Sequence, residues 1–241
     1  MAAVRSLIVN GRRWTVCSLN ARTAGLGPEA VDGQWLLLGC GNEASVLKSW
    51  IEDVNQVFSP MHATSLSVRE LDESDVDLIA NYWSQADPDY LTGLGVDLSK
   101  LPSRDDFAKM LTDQLKLPLE LRQSYCTIWQ EGQQAIGHCN VNKLVFGQEA
   151  FMHLHLWRPE LRHQGLGMPL VRQSLKLFFG RLELQNLICE PYALNPAPNG
   201  VLAKVGFDFV KQYMTVPGTI NFEQKVNRWH MSRVRFASLG T

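Results

Sequence analysis

The sequence predicts an α+β domain, a mixed and mainly antiparallel central sheet flanked by helices, preceded by a small strand-rich appendage. Three observations predict it. A meander of three strand-like runs occupies the middle of the chain, one of those runs feeds a glycine-containing loop into an amphipathic helix, and an Asn-led short helix precedes two final strands. With 241 residues, 45% of them hydrophobic, the chain can bury a full core.

Residues 1–63 read as the appendage and 64–241 as the main domain. In "LIVNGRRWTV", Asn10-Gly11 lies between two short apolar runs, a strong hairpin signal. "QWLLLGCG" reads as a strand leading into a helical pattern from Ala44 to Val57, with Gly39-Cys40-Gly41 as a plain turn. A dinucleotide loop would need a third glycine and an acidic residue roughly 20 positions on, after a second strand. "SPMHATS" supplies the boundary.

From Leu66 the pattern becomes regular. "LSVREL" is a strand, and Asp72 or Ser74 can cap a helix to Ser84 with Val76, Ile79, Ala80 and Trp83 on one face. A second helix spans about Ser103 to Leu117. "SYCTIWQ", "QAIGHCNVNKLVF" and "EAFMHLHLW" form the meander. Pro169 and the set Leu170, Val171, Leu175, Phe178, Phe179 and Leu182 mark the next helix. "LQNLICEPYAL" is a strand, "NPAPNGVLAKVGF" a short helix closed by Gly206, and "FVKQYMTV" and "QKVNRWHM" the last strands.

Composition excludes several classes. The formal net charge of -1 gives no global attraction to nucleic acid or to an acidic membrane surface, so any anion site is local. No apolar run approaches the roughly 20 residues that span a bilayer, and the N-terminus is charged too early for a secretory signal. The expectation is a cytoplasmic protein, a monomer or homodimer. Cys17, Cys40, Cys126, Cys139 and Cys189 are scattered without a CxxC pair, so neither a disulfide framework nor a metal site is expected.

The chemistry-bearing stretch is "RPELRHQGLGMPL". A strand ending at Trp157 runs through it into a helix N-terminus, where unpaired N–H groups and the positive end of the macrodipole favour an anion. Gly165 and Gly167 let backbone amides approach a ligand, and Arg158, Arg162 and His163 add donors. Alone, the stretch reads equally as a phosphate cradle or as a turn shaped by glycine.

The element order, together with "RHQGLG" and "EPYALNPAPNGVLAKVGF", resembles the GNAT superfamily of acyl-CoA-dependent N-acyltransferases over about Leu66 to Met231. The resemblance implies a coenzyme A pyrophosphate held by the amides of His163, Gln164, Gly165, Leu166, Gly167 and Met168, with Arg162 at the head of the motif. It also implies pairing of the pantetheine arm with the exposed backbone of Leu154 to Trp157, Leu156 included, and a contact from Asn195.

Acyl transfer to an amine needs an uncharged amine, a donor for the developing oxyanion and a proton source for the thiolate. Period-two alternation puts His153, His155 and Trp157 on one strand face. An imidazole suits general-base work near neutral pH, so His153 is the first choice, and its loss should remove the acidic limb of the pH profile. By resemblance to the branches that acylate siderophore hydroxylysine or the 6'-amine of aminoglycosides, Glu190 orients His153 or binds the cationic amine. Both residues also read as ordinary structural groups. The family's usual thiolate-protonating tyrosine is replaced by Leu202, which leaves Tyr192, Tyr213 or solvent. Asp87, Asp89, Asp97, Asp105 and Asp106 either attract a cationic acceptor or cap helices.

The resemblance thus implies transfer of an acetyl or short acyl group from acyl-CoA to an amine or hydroxylamine of a small molecule, a lysine-derived siderophore precursor being the branch most resembled. An aminoglycoside-type or protein N-terminal acetyltransferase is the alternative enzyme, and a non-catalytic acyl-CoA-binding module the alternative of another class.

Overall fold

The computed structural model describes residues 65–240 and, nearer the N-terminus, the backbones of two strands. The chain divides into two compact units, Met1–Met61 and His62–Thr241. In the first unit β1 (Val4–Val9) pairs antiparallel with β2 (Arg12–Cys17), Val9 opposite Arg12, as expected for a hairpin around Asn10-Gly11. The readings of residues 34–57 lie outside the described residues.

The second unit carries the expected sheet. Its strands are β3 (Leu66–Glu70), β4 (Tyr125–Glu131), β5 (Gln134–Val145), β6 (Glu149–Leu156), β7 (Asn186–Cys189), β8 (Asp208–Thr215) and β9 (Gln224–Ser232). They lie in the order β3-β4-β5-β6-β7-β9-β8, antiparallel except for the β6–β7 pair. The crossover between those two is a helix, Gly167–Arg181, because parallel neighbours cannot be joined by a tight turn.

Before the meander come α1 (Val76–Gln85), α2 (Pro88–Gly93) and α3 (Arg104–Leu115). Asp72 caps a 3-10 turn that leads into α1, and Val76, Ile79, Ala80 and Trp83 are its buried residues, the face read from the sequence. Ile79 and Trp83 join Leu71, Leu91, Val96, Cys126 and Ile128 in a core on one side of the sheet. Across the sheet, α4 (Gly167–Arg181) and α5 (Pro196–Val205) bury Leu170, Val171, Leu175, Phe178, Phe179, Leu202 and Val205 against the strands. Each such side chain contributes about 1.5–3 kcal/mol by leaving water. Gly206 ends α5 at φ +109°, where a Cβ would be strained. A last helix, α6 (Arg233–Ser238), continues from β9.

The sheet opens at its centre for a reason visible in the sequence. β7 pairs with β6 only as far as Phe151 opposite Ile188, and Pro191 follows two residues beyond its end. Proline has no N–H for the ladder. The chain past β7 instead follows β9: Asn227 N donates to Pro191 O at 3.1 Å and Ala193 N to Lys225 O at 2.8 Å. From Met152 to Leu156, β6 therefore pairs with β5 alone, and a cleft separates it from the segment after β7.

Candidate active site

At the mouth of the cleft lies the loop into α4. Its backbone hydrogen bonds stop at Arg162 N to Pro159 O, 3.1 Å, and resume at Leu170 N to Leu166 O, 3.3 Å. The N–H groups of His163, Gln164, Gly165, Leu166, Gly167 and Met168 are left without a backbone acceptor. No side chain caps α4 at its N-cap residue Leu166. A 15-residue helix with an uncapped N-terminus favours an anion there. Gly165 sits at φ +80° with open space where a Cβ would be, whereas a Cβ on Gly167 would come within 3.1 Å of Val201 Cγ2 on α5. One glycine shapes the loop and the other lets two helices approach.

The cationic side chains read as donors for this loop are spent elsewhere. Arg158 donates to Glu160 at 2.7 Å and to Gln134 at 3.1 Å. Arg162 donates to the carbonyls of Leu156, at 3.2–3.3 Å, and Trp157, at 3.4 Å, and stacks over Tyr90, 3.8 Å from its centroid. Those two carbonyls, expected free for a ligand, thus carry a partner. Asn195 lines the cleft, but its Oδ1 caps α5 by accepting from Ala197 N at 3.3 Å.

The base of the cleft is a cavity of about 80 Å³ lined by residues that include His153, Glu190, Tyr192, Asn195 and Gln224. His153 makes no hydrogen bond there, and its Nε2 is shut off from solvent without a partner. Burial, reinforced by the positive charge of Lys143, pulls its pKa from the ordinary imidazole range down to about 4. Glu190, whose side chain is 5% exposed, accepts from Tyr213 Oη and lies 3.5 Å from Arg228 Nε. No hydrogen bond joins it to His153, so the orienting contact expected between them is absent among the described residues.

On the same face, His138 of β5 stands opposite His155 of β6, and their rings stack with centroids 4.6 Å apart. Trp157 Nε1 donates to His138 Nδ1 at 2.7 Å, and Tyr82 Oη lies 3.2 Å from His155 Nδ1. Burial lowers the pKa of His138 to about 3 and that of His155 well below the ordinary value. Over the cavity, the loop after α2 is tied to the β8–β9 loop. Asp97 N donates to Ile220 O at 2.8 Å, Asn221 Nδ2 to Gly95 O at 2.8 Å and Lys100 Nζ to Asn221 O at 3.0 Å. The aspartates of this region mostly cap: Asp87 accepts from Tyr90 N and Asp97 from Ser99 N, while Asp105 pairs with Arg104 and Asp106 with Ser103. Leu202, at the position of the missing tyrosine, is fully buried core.

A sheet parted at its one parallel pair, with an uncapped, glycine-shaped helix N-terminus at the mouth of the gap, defines the acyl-CoA-dependent N-acyltransferase class. The profile described as acetyltransferase (GNAT) domain matches residues 65–208. The chain belongs to the GNAT family, and it is an acyl-CoA-dependent N-acetyltransferase that uses an acyl-CoA as cosubstrate. No curated protein sequence matches it. Among solved structures, it is similar to the spermidine N-acetyltransferase of Vibrio cholerae in complex with CoA and spermine. That match has a TM-score of 0.59 at 16% identity and covers 71% of this chain and 98% of that one. RimL, a ribosomal alpha-N-protein acetyltransferase in complex with coenzyme A, has a TM-score of 0.57 at 16% identity, with 70% and 94% covered. An uncharacterised Bacillus halodurans protein follows at 0.53 and 16%, with 72% and 86% covered. These likenesses establish the fold.

Proposed function

We propose that the enzyme moves an acetyl or short acyl group from acyl-CoA to an amine or hydroxylamine of a small molecule, a lysine-derived siderophore precursor being one such acceptor. The observation that carries this reading is the parting of β6 and β7 after Phe151, with His153 and Glu190 lining one cavity in the gap. In this reading the free amides from His163 to Met168 hold the pyrophosphate, the β6 edge at Leu154 and Leu156, where Arg162 holds the Leu156 carbonyl, runs beside the pantetheine, and Asn195 contacts the same arm. The tied loops over the cavity favour a slim acceptor over a protein N-terminus.

The amine nitrogen attacks the thioester carbon, the C–S bond breaks, and the thiolate leaves to be protonated by solvent; with a thiol pKa near 8.5 it is a tolerable leaving group. A free alkyl amine is protonated at pH 7, but the same desolvation that lowers the pKa of His153 disfavours a charged amine in the cavity. The amine therefore reacts in its neutral form, and the N–H made acidic by the new C–N bond passes its proton to His153 Nε2. Glu190, held by Tyr213 and Arg228, shapes the acceptor end instead of orienting the imidazole.

Thiol release from acetyl-CoA across a panel of small amines, diamines, amino acids and hydroxylamines tests the reading. Turnover with at least one of them, lost when the acceptor is omitted, is expected. Turnover confined to protein N-termini would overturn it.

A further inference from the structure

His155 lines the cavity that also contains His153 and Glu190. It stands on β6 between Leu154 and Leu156, the edge read as the track of the pantetheine. A thiolate formed at the end of that arm is released in the cavity this ring lines. His155 Nε2 makes no hydrogen bond among the described residues and, unlike that of His153, is not closed off from solvent. Its Nδ1 lies 3.2 Å from Tyr82 Oη, and Tyr82 Oη lies 3.3 Å from Tyr90 Oη. Both spacings are long for a hydroxyl, as catalytic contacts often are before the substrate complex tightens them. Tyr82 and Tyr90 border a second pocket of about 380 Å³, shared with Gln85, Asp87, Trp157 and Arg162. Gln85 and Asp87 are exposed, so bulk water reaches it. Three exchangeable groups in line thus join that water to the cavity.

The stacked partner shows what sets His155 apart. Trp157 Nε1 can only donate, so His138 Nδ1 is held as an acceptor and that ring is locked in one tautomer. A tyrosine hydroxyl both gives and accepts, so His155 can exchange tautomers. Arg162 biases the direction: its guanidinium lies 3.8 Å from the centroid of the Tyr90 ring, and a cation there favours release of the phenolic proton. Tyr90 then donates to Tyr82, and Tyr82 to His155 Nδ1. His155 therefore offers the cavity an N–H, whereas His153 offers it a lone pair. Burial holds the pKa of His155 well below the ordinary value, so the ring gives up its Nε2 proton only while Nδ1 receives another.

We infer that His155 is the catalytic residue that protonates the departing thiolate, and that Tyr82 and Tyr90 are positioning residues that set its tautomer and refill it from solvent. This rests on the reading of the cavity as the reaction site. It gives the solvent proton a path in a chain where Leu202 replaces the family's tyrosine. As the C–S bond breaks, sulfur takes the Nε2 proton, the Tyr82 proton moves to Nδ1, the Tyr90 proton to Tyr82, and one from water to Tyr90, leaving hydroxide in the outer pocket. The relay resets in reverse: the proton that His153 took from the amine crosses the cavity to Nε2, each later proton shifts outward, and the last returns to the hydroxide. Every group ends as it began.

The test varies the leaving group. Single-turnover rates, with enzyme in excess and one acceptor amine, are compared for acetyl-CoA and its selenium analogue, whose selenolate is the weaker base and leaves without a proton. Tyr82→Phe keeps the ring and removes the hydroxyl. It should slow the thioester by roughly 10- to 100-fold, the low end of general-acid effects because a thiolate leaves tolerably unaided, and slow the selenoester by no more than a few-fold. The Kd of acetyl-CoA should stay unchanged. Tyr90→Phe should move the ratio of the two rates the same way but less, since Tyr82 also borders the outer pocket, and it decides the matter if Tyr82→Phe does not fold. A structural role for the tyrosines would lower both rates in parallel. An unchanged ratio of selenoester to thioester rates in the folded variants, or an unchanged thioester rate in Tyr82→Phe, overturns the inference while the small-amine reading stands. Turnover confined to protein N-termini overturns that reading instead, and the same comparison on such an acceptor then decides the relay.

Discussion

The imidazoles of His138 and His155 lie face to face across β5 and β6, their planes 20° from parallel. Neither can carry a proton cheaply. Burial is the main cause for both, and for His155 the neighbouring histidines add to it. With His153 at about 4, three histidines of one sheet face stay neutral where free imidazoles would begin to charge.

The stability of the fold should therefore fall on the acid side. The unfolded chain takes up these protons near pH 6.5, while the folded chain, with His138 at about 3 and His153 at about 4, does not. Between those values the unfolded state binds more protons. Stability is complete above about pH 6.5 and declines toward pH 4, by about 1.4 kcal/mol per pH unit for each histidine. Denaturant midpoints at pH 8, 6 and 5 should show the decline. His138→Asn, which retains an acceptor for Trp157, should make it shallower. A midpoint independent of pH over this range would contradict the neutral cluster.

Gly165→Val should separate coenzyme binding from folding. The position has φ +80° and no atom within 4 Å of a built Cβ, so the variant strains the backbone without a clash. The cost to stability is about 1–2 kcal/mol. The side chain would stand where the free amides face their ligand, so the Kd for acetyl-CoA should rise roughly tenfold or more, a loss of about 1.4 kcal/mol. Calorimetric titration of the folded variant decides it, and an unchanged Kd removes the pyrophosphate assignment.

Much of this was legible from residue pattern alone. Alternation in "FMHLHLW" put His153 and His155 on one face, and the structure has them there, with Met152 and Leu154 packed toward α4. The Asn-led start of α5 and its end at Gly206 follow directly from capping chemistry. Long-range partners were not legible. Nothing in the spacing shows that Arg162 folds back over Tyr90, that Tyr213 and Arg228 claim Glu190, or that Gln224 rests against Gly95. Each of these contacts joins segments brought together only by the fold. The short helices α2 and α6 were missed for another reason: six residues give too little periodicity to read. In α2, Asp87 before Pro88 was the available signal.

Leu202→Tyr should not restore the family's proton donor. Leu202 has no exposure and packs in the core between α5 and the sheet, so a tyrosine hydroxyl at this site must either be buried without a partner or push the helix outward. Overpacking costs about 1–3 kcal/mol. The variant should melt at a lower temperature with no gain in kcat. A rise in kcat at unchanged stability would mean that α5 can turn this position toward the cleft, and that solvent is a poor source of the thiolate's proton.

His153→Ala carries the mechanism. Loss of a general base typically lowers turnover by roughly 10² to 10⁴, and His153 lies on β6 away from the loop into α4, so acyl-CoA affinity should change little. The pH dependence differs from what an exposed imidazole would give. With its pKa at about 4, His153 is already neutral at pH 5, so the acidic limb it controls lies near pH 4 and not in the neutral range. Between pH 5 and 8 the rates of the two enzymes should run parallel, both rising with the fraction of neutral amine. Only the unaltered enzyme should lose a further factor as the pH falls toward 4, measured in initial-rate assays brief enough to precede acid unfolding. An acidic limb near pH 6.5 that disappears in His153→Ala would place the imidazole in contact with water during the reaction. Near-normal turnover of every accepted amine by the variant would move the base to another group altogether.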